Sequence, residues 1–434
     1  MSDTRAAAER RLGTGGYAPR RAAIKSALCL ALAWAVAFLP VHEGLGVAGT
    51  RALFVLLLAA GLWVSEALPA FAVGLLVIAL QIALLGRPGG AFARDAADWE
   101  RFIRPWASPV IWLFFAGFVM AEAAALTGLD RRLAARLLSW TGSRPPRVLL
   151  GTMVTAFVLS MFLSNTATTA LLLAALAPVL ASLEEGDPFG KALLLGIPFA
   201  AGLGGMGSLI GSPPNAIAAG ELAREGHAVG FAHWMLLGAP PALLLLGVVW
   251  LFLQRRHPAR TSAVHVPSPP PSPGVPARRR FVVSAVFFAT VGLWLTGAWH
   301  GIPVAVAAFL PICAYSVTGI HASRDMRRLP WDVLLLVAGG LSLGVGVQET
   351  GLARWLVGGL PLERLSPVLV TLLFAAAACL LSNFMSNTAA ANILIPLAIV
   401  YATGRLRARD FLPGGVLVAV VGCPLAVWWC RLVG

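Results

Sequence analysis

Long apolar runs, separated by short charged or proline- and glycine-rich breaks, dominate this chain. An α-helix needs roughly 20 apolar residues to cross a bilayer. The pattern therefore predicts spanning or half-spanning helices near residues 26–42, 50–68, 69–86, 106–127, 148–183, 191–222, 233–253, 281–299, 302–320, 332–349, 365–402 and 411–430. Two amphipathic stretches, 130–140 and 351–361, predict helices that lie at the membrane interface.

One polar tripeptide interrupts two of these runs. Ser-Asn-Thr occurs at 164–166 and again at 386–388, an offset of 222 residues. Thr-Gly-Leu occurs at 127–129 and at 350–352, an offset of 223 residues. A hydroxyl or amide in an apolar run costs free energy unless it finds a partner. The repeated spacing predicts a duplicated membrane unit, and duplicated transporter halves build their substrate site from broken helices at the midplane.

The breaks predict particular local structures. Each tripeptide predicts a helical hairpin, over 148–183 and 365–402, that enters and leaves the membrane on one face. Glycines and a Pro-Pro pair within 202–220 predict a broken helix over 191–222. An ordinary proline kink would explain the second feature, and helix-packing hydrogen bonds would explain a single tripeptide. Their occurrence together favours a binding site.

The chemistry of these residues suits an anion and a cation together. Serine and threonine hydroxyls donate to a carboxylate, while their lone pairs and the asparagine carbonyl face a cation. A half-helix offers a positive N-terminus to an anion and free carbonyls at its C-terminus to a small hard cation. Ser212 and Asn215 add polar side chains at the break.

Composition and charge indicate which class of protein this chain belongs to. With 58% hydrophobic and 12% charged residues, and a mean hydropathy of +0.82, the chain is predicted to be a polytopic membrane protein. The net charge of +14 comes from basic residues at the ends of apolar runs, which does not indicate a nucleic-acid partner. The basic tail before Lys25, 131–147, 254–280 and 324–328 predict one cytoplasmic side, although 405–409 would then face outside.

Residues for catalysis or a tightly held metal are not evident in the sequence. No HExxH, CxxC or Ser-His-Asp pattern occurs, so we expect neither an enzyme nor a cofactor. Three acids lie in or beside apolar runs, and structural or interfacial roles are favoured over proton relay for Glu66, Glu122 and Glu349. The basic N-terminus resembles a signal peptide but has no clear cleavage site, so a retained first helix is expected.

Five segments carry a resemblance to a known family. They are WVSEALP at 63–69, SMFLSNTATTA at 160–170, GGMGSLIGSPPNAI at 204–217, GGLSLGVGVQETGLA at 339–353 and SNFMSNTAAANILIP at 382–396. On these motifs the chain resembles the divalent-anion/sodium symporters, which include sodium-coupled dicarboxylate and citrate carriers.

The resemblance implies an all-α, inverted-repeat transporter of the elevator type in the inner membrane. A scaffold domain would form a homodimer, and a transport domain would carry two re-entrant hairpins. The chain would divide into a basic tail (1–25), a first repeat (26–253), a proline-rich cytoplasmic linker (254–280) and a second repeat (281–434).

The resemblance also implies site residues. The substrate-binding residues would be Ser164, Asn165, Thr166, Ser212, Pro213, Ser386, Asn387 and Thr388. The ligands of one sodium ion would be Ser160, Ser164, Asn165 and Gly211, and those of a second would include Ser382 and Asn387.

The second repeat departs from this pattern. Asn215 follows Asn165 by 50 residues, and the same spacing from Asn387 would reach position 437, whereas the sequence runs to Gly434. The family's second Pro-Pro-Asn segment is replaced by VVGCPLAVWWCRLVG. The second repeat is therefore expected to be incomplete, with weak or absent sodium-coupled uptake.

The function expected is secondary transport of a di- or tricarboxylate coupled to sodium. Two alternatives remain open at this point. One is a sodium-independent anion exchanger of the same fold, and the other is a transport-inactive membrane protein with a binding or assembly role.

Overall fold

The computed structural model describes residues 19–39, 42–89, 92–264, 274–358, 367–382 and 386–402, and within these ranges it contains helices and no strands. The longer helices of the first half are α1 (Pro19–Ala37), α2 (Val47–Ser65), α3 (Ala70–Leu84), α4 (Pro109–Thr127), α5 (Leu129–Leu138), α6 (Pro145–Ser160), α7 (Asn165–Ser182), α8 (Pro188–Met206), α9 (Pro213–Arg224) and α10 (Phe231–Arg256). Those of the second half are α11 (Ala277–Leu295), α12 (Phe309–Val317), α13 (Trp331–Glu349), α14 (Leu352–Gly358), α15 (Pro367–Ser382) and α16 (Asn387–Ala402).

Six of these helices are long and apolar enough to cross a membrane: α2, α4, α7, α8, α10 and α13. Shorter apolar helices accompany them, including α3 and α6. The protein is therefore an all-helical, multi-pass membrane protein. The last predicted span, 411–430, lies outside the described residues.

The two Thr-Gly-Leu segments adopt the same turn. Gly128 ends α4 with a left-handed backbone (φ 68°) and leads directly into the amphipathic helix α5. Gly351 has φ 79° between α13 and the short helix α14. A left-handed residue after a helix is strained for any side chain but favourable for glycine. The repeated segment thus turns a long buried helix into a short one in both halves.

The predicted span 302–320 contains one apolar helical stretch, Val304–Val317, which is irregular at Ala308, between Val304–Ala307 and α12. Pro311 supplies the reason, because its ring has no N–H to donate to the carbonyl four residues earlier and clashes with it. Periodicity alone does not reveal such an irregularity.

Helix α13 lies at the centre of the helix packing. It is the most buried of the six candidate spans and packs along α3. A Cβ atom added to Gly339 would lie 2.3 Å from the Gly74 Cα, so only glycines permit this approach. Helices α9 and α16 also pack on α13 and on each other.

Helices α6, α7 and α8 form a second packed group with α10. A Cβ on Gly204 would lie 2.2 Å from the Phe157 carbonyl oxygen, so α8 crosses α6 in direct backbone contact. This contact places the C-terminal end of α8 beside the turn that contains the first Ser-Asn-Thr.

Candidate substrate and cation site

The first Ser-Asn-Thr begins helix α7. Ser164 is the N-cap residue, and its Oγ accepts a hydrogen bond from the Ala167 N–H at 3.2 Å. Ser164 and Thr166 are exposed and Asn165 is half-buried. The N–H groups of Asn165 and Thr166 precede the first intrahelical hydrogen bond, so the positive end of α7 remains open to an anion.

The Asn165 side chain is hydrogen-bonded to Ser160, the last residue of α6. The buried Ser160 Oγ donates to Asn165 Oδ1 at 2.6 Å. The side chain also lies against Gly205, where an added Cβ would be 2.8 Å from Asn165 Oδ1 and 3.2 Å from the Gly211 carbonyl oxygen. Gly205 therefore lies beside two oxygens, Asn165 Oδ1 and the Gly211 carbonyl, and the Ser160 hydroxyl contacts the first of them.

The segment between α8 and α9 is closed by its own hydrogen bonds. Asn215 Nδ2 donates to the carbonyls of Gly205 at 2.8 Å and Ser208 at 2.7 Å. Ser208 Oγ donates to the Met161 carbonyl and accepts from the Gly211 N–H at 3.1 Å. These contacts join the break to the α6–α7 turn, so the two features that the sequence singled out form one structure.

Helix α9 begins without free backbone donors in its first two positions. Ser212 is its N-cap, with an extended backbone (φ −154°, ψ 140°) and no hydrogen bond from its side chain to the helix. Pro213 and Pro214 have no N–H, and the Asn215 N–H donates to the Ser212 carbonyl at 3.1 Å. This end of α9 offers the Ser212 hydroxyl and the helix dipole rather than a set of amides.

The second Ser-Asn-Thr repeats the first cap. Ser386 Oγ accepts from the Ala389 N–H at 3.2 Å, and the Ser386 carbonyl accepts from the Ala390 N–H at 3.0 Å. Ser386 and Asn387 are exposed, and Thr388 is half-buried. Two helices thus begin with the same polar N-terminus.

The serine five residues before each asparagine behaves differently in the two copies. Ser382 Oγ donates to the Cys379 carbonyl of its own helix at 3.0 Å, whereas Ser160 donates to Asn165. Residues 383–385 and the segment from Val421 onward lie outside the described residues, including the expected source of further carbonyl ligands. Within the described ranges, no hydrogen bond joins the two tripeptides.

The site residues are electrically neutral. Among the described residues, their hydrogen-bond partners are hydroxyls, amides and carbonyls, and none of the ion pairs includes them. A bound dianion would therefore depend on helix dipoles, hydroxyls and any cation bound beside it.

The acids noted in the sequence lie elsewhere. Glu349 Oε2 accepts from Arg101 at 2.9 Å, and Arg101 also pairs with Asp98, which ties the 98–107 segment to the end of α13. Backbone donors of Asp95 and Arg94, with Arg101, lower the pKa of Asp98 to about 2. Glu66 is the left-handed C-cap of α2 (φ 49°).

Comparison with known proteins identifies the family. The family model described as "Citrate transporter" matches residues 54–421. The chain belongs to this family. This citrate transporter family member is 30% identical over 384 residues to the sodium-dependent dicarboxylate transporter SdcS of Staphylococcus aureus strain NCTC 8325, over 80% of this chain and 72% of that protein. SdcS of strain COL matches to the same extent.

A solved structure also resembles this citrate transporter family member. The crystal structure of the Alcanivorax borkumensis YdaH transporter covers 77% of this chain and 84% of its own, with 16% identity and a TM-score of 0.47. The family hit and the SdcS match confirm the family suggested by the sequence motifs. Its relatives are transporters, which places the chain among transport proteins rather than enzymes.

Proposed function

We propose that this protein is a secondary transporter that moves a di- or tricarboxylate together with sodium. The observation that carries the proposal is the pair of neutral oxygens beside Gly205, Asn165 Oδ1 and the Gly211 carbonyl, together with the Ser160 hydroxyl that contacts Asn165 Oδ1. Hard cations prefer oxygen ligands, and Asn165 belongs to the same tripeptide as the exposed N-cap serine. Substrate and cation would therefore share one residue.

The substrate would bind where the helix N-termini present hydroxyls and amides. Ser164 and Thr166 flank Asn165 at the start of α7, and Ser212 with Pro213 begins α9. The residues Ser386, Asn387 and Thr388 begin α16. Because no basic side chain of the described residues pairs with these groups, sodium would supply the positive charge that a dicarboxylate needs, and this requirement couples the two ligands.

The second sodium ion would use Ser382 and Asn387. The Ser382 hydroxyl donates a hydrogen bond to the Cys379 carbonyl. We propose that this ion binds more weakly than the ion near Gly205, because only the first copy has its serine directed to the asparagine. Helix pairs α6–α7 and α15–α16 would be the re-entrant hairpins of an elevator-type transport domain in a homodimer.

Uptake into proteoliposomes tests this function. Labelled succinate and citrate are offered with an inward sodium gradient, or with choline in place of sodium. We expect weak accumulation that requires sodium. Uptake that requires internal anion and ignores sodium would indicate an exchanger, and thermal stabilisation by succinate without flux would indicate a binding protein.

The membrane orientation is proposed from the basic segments, with the 254–280 linker in the cytoplasm of an inner-membrane protein. A single cysteine at Ser268, with the native cysteines replaced, should resist an impermeant maleimide in intact cells and react after the membrane is opened. Rapid labelling in intact cells would show that the linker faces the outside and that the proposed orientation is wrong.

A further inference from the structure

Three glycines of α13 each face a fully buried polar side chain from another helix. Gly346 faces Gln81 of α3, whose Oε1 accepts from the Ser342 hydroxyl at 2.7 Å on the same side of α13 as the Gly74 contact. The other two glycines face side chains from α9 and α16. Small residues let helices and side chains approach closely in a membrane protein.

Glu221 of α9 fills the space that a side chain at Gly344 would take. We call such a space, beside a glycine of α13, a notch. A Cβ on Gly344 would lie 2.1 Å from Glu221 Oε1, so the carboxylate fits only because that position is glycine. Both carboxylate oxygens accept from Arg224 at 3.2 Å, and Oε2 accepts from Gln348 Nε2 at 3.1 Å. Arg224 belongs to the same helix as Glu221, whereas Gln348 belongs to α13, so the Gln348 contact joins α9 to α13.

Asn392 of α16 occupies the notch at Gly340. Its side chain is fully buried, and within the described part of the chain neither amide atom has a hydrogen-bond partner. A Cβ on Gly340 would lie 1.8 Å from Asn392 Oδ1 and 2.4 Å from its Cγ. The amide is therefore aimed directly into the surface of α13.

Gly340, Gly344 and Gln348 are spaced four residues apart and form one face of α13. The two helices that contact this face are those that begin with Ser212 and with Ser386, the candidate substrate groups. We propose that Glu221 and Asn392 are positioning residues that fix α9 and α16 on this face and thereby set the places of their N-termini. The inference rests on the proposed function, since it assumes that those N-termini bind the substrate.

The first test adds a methyl group to the notch. Gly344→Ala should raise the KM for sodium-driven succinate uptake on the order of tenfold or more, because small displacements of binding groups are costly, while Vmax per folded carrier is retained. The matched control is Gly292→Ala, in the last turn of α11, where an added Cβ meets nothing within 4 Å. An unchanged KM with a reduced amount of folded carrier would mean that the notch is only structural.

A double-mutant cycle tests whether Glu221 transmits the effect. Glu221→Ala removes the carboxylate with which the new methyl group collides, so Gly344→Ala should add little in that background. Glu221→Gln keeps an acceptor for Gln348 and should shift the KM less than Glu221→Ala. Independent, additive effects of Gly344→Ala and Glu221→Ala would overturn the assignment.

A substrate-free measurement separates this inference from the proposed function. Hydrogen exchange of residues 213–224 should rise in Gly344→Ala and Gln348→Ala, and that of 387–402 should rise in Gly340→Ala, relative to Gly292→Ala. Hydrogen exchange is measured without substrate, so its outcome tests the positioning role even if the wild-type protein transports no succinate. Unchanged exchange in both helices would contradict the positioning role.

Discussion

The two Ser-Asn-Thr copies share a helix cap but differ in what holds the asparagine. Both serines cap their helices at 3.2 Å with the same residue spacing. In the first copy Ser160 binds Asn165, whereas in the second copy Ser382 binds a carbonyl of its own helix. The cap is a local property of the tripeptide, while a preformed cation site needs a second segment that supplies oxygens and holds the amide in place.

Replacing either asparagine should lower succinate affinity more than any other substitution considered below. Asn165→Ala and Asn387→Ala should each remove most succinate binding, with affinity losses of roughly 10- to 100-fold, because each amide is proposed to contact the charged ligands and a hydrogen bond to a charged group contributes about 1.5–3 kcal/mol. Asn165→Ala should be the more severe because Ser160 also loses its partner. Isothermal titration on purified protein measures this, with the exposed Cys313→Ala as control. Near-normal affinity in both variants would remove these residues from the site.

Gly205→Ala should have the next largest effect. Its methyl group would lie 2.8 Å from Asn165 Oδ1 and 3.2 Å from the Gly211 carbonyl, so it would push apart the oxygens proposed to bind sodium. Overpacking of this kind costs about 2 kcal/mol, or roughly 30-fold in sodium affinity. Gly202→Ala, on the same helix, meets nothing within 4 Å and is the matched control. Equal sodium affinities in the two variants would show that no cation binds there.

Alanine substitutions of Ser160 and Ser382 test whether the two copies differ in sodium binding. Ser160→Ala removes a hydroxyl that contacts Asn165, and the sodium concentration for half-maximal uptake should rise about tenfold, as for a lost hydrogen bond of about 1.4 kcal/mol. Ser382→Ala should raise it by less, because that hydroxyl is engaged within its own helix. A larger effect of Ser382→Ala would reverse the proposed order of the two cation sites.

The smallest effect is expected for the caps. Ser164→Ala and Ser386→Ala each remove an equivalent hydrogen bond, so the free energy of unfolding should fall by about 1 kcal/mol in each. Thermal unfolding in detergent compares them, with Ser164→Asp as a variant that keeps a capping oxygen. A clear difference between the two alanine variants would mean that the caps are not equivalent.

Much of this architecture follows from sequence. The apolar runs predict the helices, and the repeated Ser-Asn-Thr and Thr-Gly-Leu segments appear as repeated caps and turns because capping depends on a few neighbouring residues. The family resemblance named Ser160 and Asn165 as ligands of one sodium ion. The hydrogen bond between their side chains depends on how the turn between α6 and α7 folds, and only the structure shows it.

Other features required the folded chain. Asn215 was expected to add a polar group at the break, but its amide instead donates to the carbonyls of Gly205 and Ser208. Glu221 and Gln348 are 127 residues apart, and Asn392 reads as an ordinary polar residue in an apolar run. The Gly340-to-Gly344 spacing on α13 was the one sequence signal for these contacts, because small residues four apart mark close helix approach.

Coupling between sodium and succinate is tested most directly by the succinate Kd of the purified protein across a series of sodium concentrations, measured for the wild type and for Gly205→Ala. If sodium near Gly205 supplies the charge that the neutral site lacks, succinate affinity should rise steeply with sodium in the wild type and far less in Gly205→Ala. If the wild type bound succinate equally well in sodium and in choline, sodium would not supply this charge and the proposed coupling would be wrong.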